Sequence, residues 1–321
     1  MSKPKVLITN PEVPEIALNL LREKCELIVN EEQPYPSKAE IVAKCKGVDA
    51  IFWVSKYSFD EEILQAAGAQ MQVASTMSAG LDNVDLVALK RHGVKLGHTP
   101  VVLNEAVSDV AILLILATSR RIIEGRLAIE NNSWRYGPQW QLGRDISGST
   151  VGIVGLGNIG QTIVKKLKPF GVSTFLYSGH KESNAGKELG CEFVTFDELL
   201  VKSDFVVCSC PLTDETRGMF NEAAFNKMKS TGIFINIARG GIVVQEDLVK
   251  VLENKRIFGA GLDVMTPEPL PRDDPLLKLS NCVLLPHIGS ATVNTRNSMA
   301  ELAAQNILMG LGGQKMFTPA Y

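Results

Sequence analysis

Three side chains in the second half of the chain have the types and spacing to steer a carboxylate and move a proton. They are Arg239 in Asn236-Ile237-Ala238-Arg239-Gly240-Gly241, Glu268 in Pro267-Glu268-Pro269, and His287 in Leu285-Pro286-His287-Ile288-Gly289-Ser290. Each follows an apolar run that reads as a strand, and an open α/β sheet meets its ligands beyond the carboxyl ends of its strands. Singly, each has an ordinary explanation: a surface ion-pair partner, one more loop carboxylate, a satisfied histidine. Together they suit the reduction of a 2-oxo acid. Arg239 would fork onto the substrate carboxylate or the adjacent oxygen and orient the carbonyl carbon for hydride transfer. His287 would hand a proton to the carbonyl oxygen. Glu268 would accept from the other imidazole nitrogen, fixing the tautomer and favouring the imidazolium.

A hydride needs a carrier, and residues 151–160 read Val-Gly-Ile-Val-Gly-Leu-Gly-Asn-Ile-Gly. Gly155, Gly157 and Gly160 make G-x-G-x-x-G between an apolar run and a helical pattern with Ile163, Val164 and Leu167 on one side. In that setting the glycines serve a tight turn, close approach of a pyrophosphate, and packing of helix on strand. The helix amino terminus then faces the phosphates. An acidic residue at the end of the next strand would select NAD through the ribose 2′-hydroxyl. Here that strand runs Phe175-Leu176-Tyr177 into Ser178-Gly179-His180-Lys181. A hydroxyl and two basic side chains offer donors to a 2′-phosphate, so NADP is expected over NAD, with NAD at lower preference.

The elements that must hold these groups follow from the periodicity. Apolar runs at 5–9, 26–29, 49–54, 72–75 and 94–97 alternate with amphipathic stretches at 14–24, 38–45, 59–67 and 86–92. One long helical pattern then covers 104 to about 130, followed by a loop rich in large side chains from Trp134 to Trp140. The alternation restarts with strands at 151–154, 174–177, 204–208, 232–237, 257–262 and 283–286, and a final helix spans 291–311. Strand–helix–strand alternation implies parallel strands with helical crossovers. The fold class is therefore α/β, with two doubly wound parallel-sheet domains, the second inserted into the first. The chain would cross between them near Pro100 and Pro286, giving residues 1–100 with 288–321 and residues 101–287, with a ligand expected in the cleft.

The chain has 321 residues, with 33 Lys+Arg against 35 Asp+Glu, a net charge of −2. That balance gives no electrostatic footprint for nucleic acid or anionic lipid. The longest uncharged apolar run, 110–118, is far short of a membrane span. The amino terminus reads as a strand after two lysines, not as a signal peptide. Six cysteines show no Cys-x-x-Cys pair and no histidine at ligand spacing, so no metal is expected. Free thiols and the absence of a leader suggest the cytoplasm.

These stretches resemble the D-isomer-specific 2-hydroxyacid dehydrogenase family, most of all its glyoxylate reductase/hydroxypyruvate reductase branch. The resemblance covers nearly the whole chain. It rests on Ser75–Asp82 (Ser-Thr-Met-Ser-Ala-Gly-Leu-Asp), the 155–160 fingerprint, residues 236–240, 261–271 and 284–292, with His-Ile-Gly-Ser-Ala-Thr the most specific. It implies a Rossmann cofactor domain inserted into a flavodoxin-like substrate domain, and Arg239, Glu268 and His287 as the catalytic residues. It further implies that the N–H groups of Ala79 and Gly80 hold the substrate carboxylate, with Ser290 nearby. On the cofactor side it points to Asn158, Ile159 and Gly160 at the pyrophosphate, Pro211 and Ile237 along the dinucleotide, and Asp263 and Gly289 near the nicotinamide. Ser178, His180 and Lys181 fall at the 2′-phosphate. A homodimer is implied, built through the helix and loop of 104–145. Three positions depart from the branch's pattern. The aromatic loop is one residue shorter, placing Gly137 or Tyr136 where a tryptophan meets the neighbouring active site. Ala106-Val107-Ser108-Asp109 replaces an acidic pair, and His180 replaces a permanently charged group. Rival expectations are an NAD-linked relative of the phosphoglycerate or formate dehydrogenase type, and a dinucleotide-sensing corepressor-like scaffold. The missing acid after Tyr177 speaks against the first, and a chain ending at Tyr321 without an added tail speaks against both the long phosphoglycerate enzymes and the scaffold.

Overall fold

The computed structural model describes residues 2–31 and 35–321. The chain divides into two compact units, Met1–Leu103 with Ser290–Tyr321, and Asn104–Gly289.

In the first unit, β1 (Lys5–Ile8), α1 (Glu15–Lys24), β2 (Glu26–Val29), α2 (Lys38–Lys44), β3 (Ala50–Trp53), α3 (Glu61–Ala67), β4 (Val73–Thr76), α4 (Leu86–Arg91) and β5 (Lys95–Gly97) alternate. The five strands form one parallel sheet in the order β2-β1-β3-β4-β5. Its side chains sort by the two-residue period of a strand. Leu7, Ile51 and Ala74 pack with Ile63 and Leu89 on one face, while Val6, Ala50, Phe52 and Val73 pack with Leu21 and Ala300 on the other. A sheet buried on both faces explains why β3 is apolar without alternation and why every residue of β4 is buried. Helix starts are marked by side chains that take an otherwise unpaired N–H: Asp60 for α3 and Asp85 for α4. After the last helix, residues 318–320 return to the sheet edge, where His98 N–H donates to Thr318 and Ala320 N–H to Leu96.

In the second unit, α5 (Asn104–Ser119) and α6 (Ile122–Glu130) precede β6 (Thr150–Val154), α7 (Asn158–Leu167), β7 (Thr174–Ser178), α8 (Asn184–Leu189), β8 (Glu192–Phe193), α9 (Phe196–Lys202) and β9 (Phe205–Cys208). Then come α10 (Glu222–Lys227), β10 (Ile233–Asn236), α11 (Gln245–Glu253), β11 (Gly259–Leu262) and β12 (Cys282–Leu284). The last helix, α12 (Val293–Leu311), belongs to the first unit, packed on α1 and β4. Seven parallel strands take the order β12-β11-β10-β9-β6-β7-β8, a Rossmann-type arrangement whose direction reverses between β6 and β9. That switch point is where an open sheet leaves a crevice.

One reading of the sequence is corrected, and one strand is added to it. Residues 104–130 do not form one helix. The backbone breaks at Arg121, which has φ 53°. Arg144 N–H takes the Ser119 carbonyl, so the returning loop claims a carbonyl that another turn of α5 would need. The edge strand β8 has no signal in the sequence because its two residues are exposed and carry no apolar run. All six cysteines are unbridged and buried. Among the described residues no helix is long and apolar enough to cross a membrane, and no three His, Cys, Asp or Glu side chains group for a metal ion.

Candidate active site

Strands β10, β11 and β12 are neighbours, so the segments leaving their carboxyl ends emerge side by side. The first carries Arg239. Buried Asn236 shapes its loop, accepting from Ala238 N–H at 3.0 Å and donating to the Arg239 carbonyl at 3.0 Å. The second carries Asp263 and then Glu268, between the cis bonds Thr266–Pro267 and Glu268–Pro269. The two loops press together: a Cβ on Gly240 would lie 1.9 Å from the Met265 carbonyl oxygen. The third carries His287.

His287 Nδ1 lies 2.7 Å from Glu268 Oε2, while Glu268 Oε1 accepts from Met265 N–H at 3.0 Å. Burial pulls the Glu268 carboxyl upward, but the hydrogen bond and charge of His287, the Met265 N–H and Arg239 outweigh it and hold it below the ordinary carboxylate range. An ionised carboxylate only accepts, so the proton between the two belongs to Nδ1. Nε2, with no protein partner among the described residues, is the nitrogen left for a ligand.

The backbone beneath this pair was not legible as such in the sequence. His287 has φ 53°, a left-handed conformation that costs a non-glycine residue about 1–2 kcal/mol. Asp263 holds it there. Its carbonyl accepts from His287 N–H, and its two carboxylate oxygens accept from Ile288 and Gly289 N–H, all at 2.8 Å. Burial pushes the Asp263 carboxyl up, and these N–H bonds oppose that without cancelling it. Asp263 and Gly289 thus lie together with the pair, and the aspartate is the anchor of the histidine turn. An acid at the end of a buried strand, one strand away from a functional loop, is the only local signal of this anchor.

The turn between β6 and α7 fits a dinucleotide pyrophosphate. Gly155 has φ 94°, and a Cβ there would lie 2.7 Å from the Cys210 backbone on the neighbouring strand end. At Gly160 a Cβ would meet the Gly155 carbonyl oxygen at 2.5 Å. Gly157 differs: a Cβ would find nothing within 4 Å, so the backbone lies open to an approaching group. Among the described residues no acceptor takes the N–H groups of Asn158, Ile159 or Gly160 at the start of α7, which suits an anion. The residues present therefore fit the cofactor. Ile237 is buried and Pro211 exposed beside this crevice, at the ends of β10 and β9.

At the end of β7, Ser178 is buried and its carbonyl accepts from Gly155 N–H at 2.9 Å, tying the strand end to the glycine turn. His180 and Lys181 are exposed. Sequence reasoning missed Glu215, whose carboxyl is held low by the Thr213 hydroxyl, then its own N–H, with a smaller pull from His180. Ala79, Gly80 and Ser290 belong to the first unit, each part-buried.

The profile of the D-isomer specific 2-hydroxyacid dehydrogenase, NAD binding domain family matches residues 112–289. The chain belongs to the D-isomer-specific 2-hydroxyacid dehydrogenase family. It is 45% identical over 316 residues to a glyoxylate reductase/hydroxypyruvate reductase of Mus musculus, covering 97% of this chain and 96% of that one. With the protein of the same description from Homo sapiens it shares 46% over 289 residues, or 89% and 88% of the two chains. Its fold matches the crystal structure of an NADPH-dependent glyoxylate/hydroxypyruvate reductase from Sinorhizobium meliloti in complex with NADP and malonate. That match has a TM-score of 0.87 and 29% identity, over 99% and 97% of the chains. In this 2-hydroxyacid dehydrogenase the matched segment contains both the Gly155–Gly160 turn and the Arg239, Glu268 and His287 loops.

Proposed function

We propose that the protein is a glyoxylate/hydroxypyruvate reductase, converting glyoxylate to glycolate and hydroxypyruvate to D-glycerate with NADPH preferred over NADH. The observation that carries this reading is the 2.7 Å His287–Glu268 pair beside the Arg239 loop, in a family that interconverts 2-hydroxyacids and 2-oxo acids. The names of the mouse, human and Sinorhizobium meliloti proteins support the substrate, and the last supports the cofactor.

In this reading Arg239 binds the 2-oxo acid through a forked, charge-assisted contact and turns its carbonyl carbon toward the cofactor crevice. Ala79 and Gly80 donate backbone N–H groups to the carboxylate, and Ser290 lies near the substrate. The reduced nicotinamide supplies a hydride when bound. Protonated His287 stabilises the growing charge on the carbonyl oxygen and delivers its Nε2 proton there. Glu268 keeps the ring oriented and its Nδ1 protonated throughout. Gly155, Gly157 and the Asn158–Gly160 N–H groups hold the pyrophosphate, Pro211, Ile237, Asp263 and Gly289 line the rest, and Ser178, His180 and Lys181 receive the 2′-phosphate. The carboxylate of Glu215 near His180 gives some weight to a second reading, an NAD-linked enzyme of the same family.

The first unit acts as the substrate domain, and its strand order 2-1-3-4-5 supports a flavodoxin-like description. Exposed Ile122, Ile129, Trp134 and Tyr136 support a homodimer through residues 104–145. Six buried, unbridged thiols suit a reducing cytoplasm. Steady-state rates with glyoxylate and hydroxypyruvate, each against NADPH and NADH, test the proposal. Turnover of both acids with NADPH favoured is expected. No turnover of either acid would refute the function, and equal rates with the two cofactors would refute the phosphate site.

A further inference from the structure

The loop after β4 carries Ala79 and Gly80, and the chain beneath it holds both peptide planes from one side. The Ser78 carbonyl accepts from Thr99 N–H at 2.8 Å, and the Ala79 carbonyl lies 3.2 Å from His98 Nδ1. A trans peptide points its C=O and its N–H in opposite directions. Fixing the Ser78 carbonyl therefore fixes the Ala79 N–H, and fixing the Ala79 carbonyl fixes the Gly80 N–H. Both N–H groups are turned away from the 98–99 segment, and among the described residues neither has an acceptor. Two successive N–H groups presented this way form an anion-binding concavity. Ser78 completes the turn: its hydroxyl donates to the Gly80 carbonyl at 2.8 Å and also meets Thr76 Oγ1.

His98 is in turn held by the end of the chain. Its carbonyl accepts from Thr318 Oγ1 at 2.6 Å and from Asn306 Nδ2 at 3.2 Å, and its N–H donates to the Thr318 carbonyl at 3.1 Å. Asn306 is fully buried on α12 and also bonds Thr318 through Nδ2 to Oγ1 and through Oδ1 to the N–H. It fits there because residue 97 is glycine, where a Cβ would lie 2.7 Å from Asn306 Cβ. Since a carbonyl only accepts, the bond to Ala79 requires the proton on His98 Nδ1.

We infer that His98, seated by Thr318 and Asn306, is a positioning residue for substrate-carboxylate binding: its Nδ1–H holds the Ala79–Gly80 peptide so that the Gly80 N–H faces the substrate. This rests on the reading of Ala79 and Gly80 as the carboxylate donors. It adds that the carboxy-terminal tail tunes affinity for the 2-oxo acid without touching it.

The test compares His98→Phe, which keeps a ring but loses the donor, with His98→Asn, whose amide nitrogen stands close to where Nδ1 was. Gly80→Pro deletes the N–H itself. In His98→Phe the KM for glyoxylate should rise about ten-fold, the worth of one oriented hydrogen bond to a charged group. The KM for NADPH should stay put, and His98→Asn should restore the glyoxylate value. Thr318→Val leaves the ring intact and loosens its anchor. It should move the same constant about two- to three-fold, which keeps the test decisive if His98→Phe is unstable. A raised glyoxylate KM in Gly80→Pro with no change in His98→Phe or Thr318→Val would overturn the role of His98 alone. No change in any of them would overturn the carboxylate reading as well.

Discussion

Replacing Glu268 by glutamine is the most telling perturbation of the proton-transfer pair. An anionic acceptor on Nδ1 stabilises the protonated imidazole, whereas an amide does not and can rotate to donate instead. A hydrogen bond to a charged group contributes about 1.5–3 kcal/mol. Here the His287 and Glu268 side chains are 47% and 35% exposed, so solvent screening removes roughly half of that. About 0.75–1.5 kcal/mol remains, which at about 1.4 kcal/mol per factor of ten is about a three- to ten-fold effect on rate. In steady-state assays with glyoxylate, followed by loss of NADPH absorbance, kcat of Glu268→Gln should fall by about that factor. The fall should be larger if the tautomer is lost, while the KM for NADPH holds. Stability should respond too. The folded carboxyl lies below its ordinary value, so its contribution is present above the ordinary carboxylate range and fades as pH falls through the folded value. The variant lacks that acid-side slope. An unchanged kcat would refute the role assigned to the pair.

Two further outcomes follow from neighbouring contacts. Asp263→Asn keeps one acceptor for the two N–H groups of Ile288 and Gly289 and turns an NH2 toward the other, so thermal or urea unfolding should show a loss of about 1–3 kcal/mol. Turnover should fall with it, because the left-handed His287 turn loses its anchor, and a wild-type unfolding curve would contradict that account. Glu215→Gln removes a carboxylate near His180 and should lower the KM for NADPH about two-fold, as an exposed charge contact would, with NADH unaffected. An equal change for both cofactors would remove His180 from the phosphate site.

The sequence made the second sheet and its glycine turn legible because their signals are local: an apolar run, three glycines at fixed spacing, then a helical period. The same holds for Arg239, Glu268 and His287, whose chemical types stand out directly after strands. What stayed hidden depends on contacts distant in sequence. The end of α5 is set by a loop more than twenty residues later, which takes the Ser119 carbonyl, and no propensity within 104–130 announces it. Asp263, which the resemblance places near the nicotinamide, does not show as the anchor of the histidine turn until β11 and β12 lie side by side and its oxygens meet Ile288 and Gly289. Glu215 lies on a segment that only the fold brings near His180.

Both units present polar groups in the same manner. In the second, Asp263 takes three successive N–H groups and so sets the left-handed turn that carries the His287 ring. In the first, Thr99 and His98 take two successive carbonyls and so set the directions of the Ala79 and Gly80 N–H groups. In each case the group available to a ligand is oriented by a hydrogen bond made on the opposite side of the same backbone. Such preorganisation stores the cost of orientation in the fold, so it need not recur at each turnover. It also means that the supporting residues, which touch no reacting atom, should affect function by misdirecting a group that remains chemically intact. Buried Asp263 and Asn306 are the extreme cases, since removing either leaves polar backbone or side-chain groups without partners where water cannot replace them.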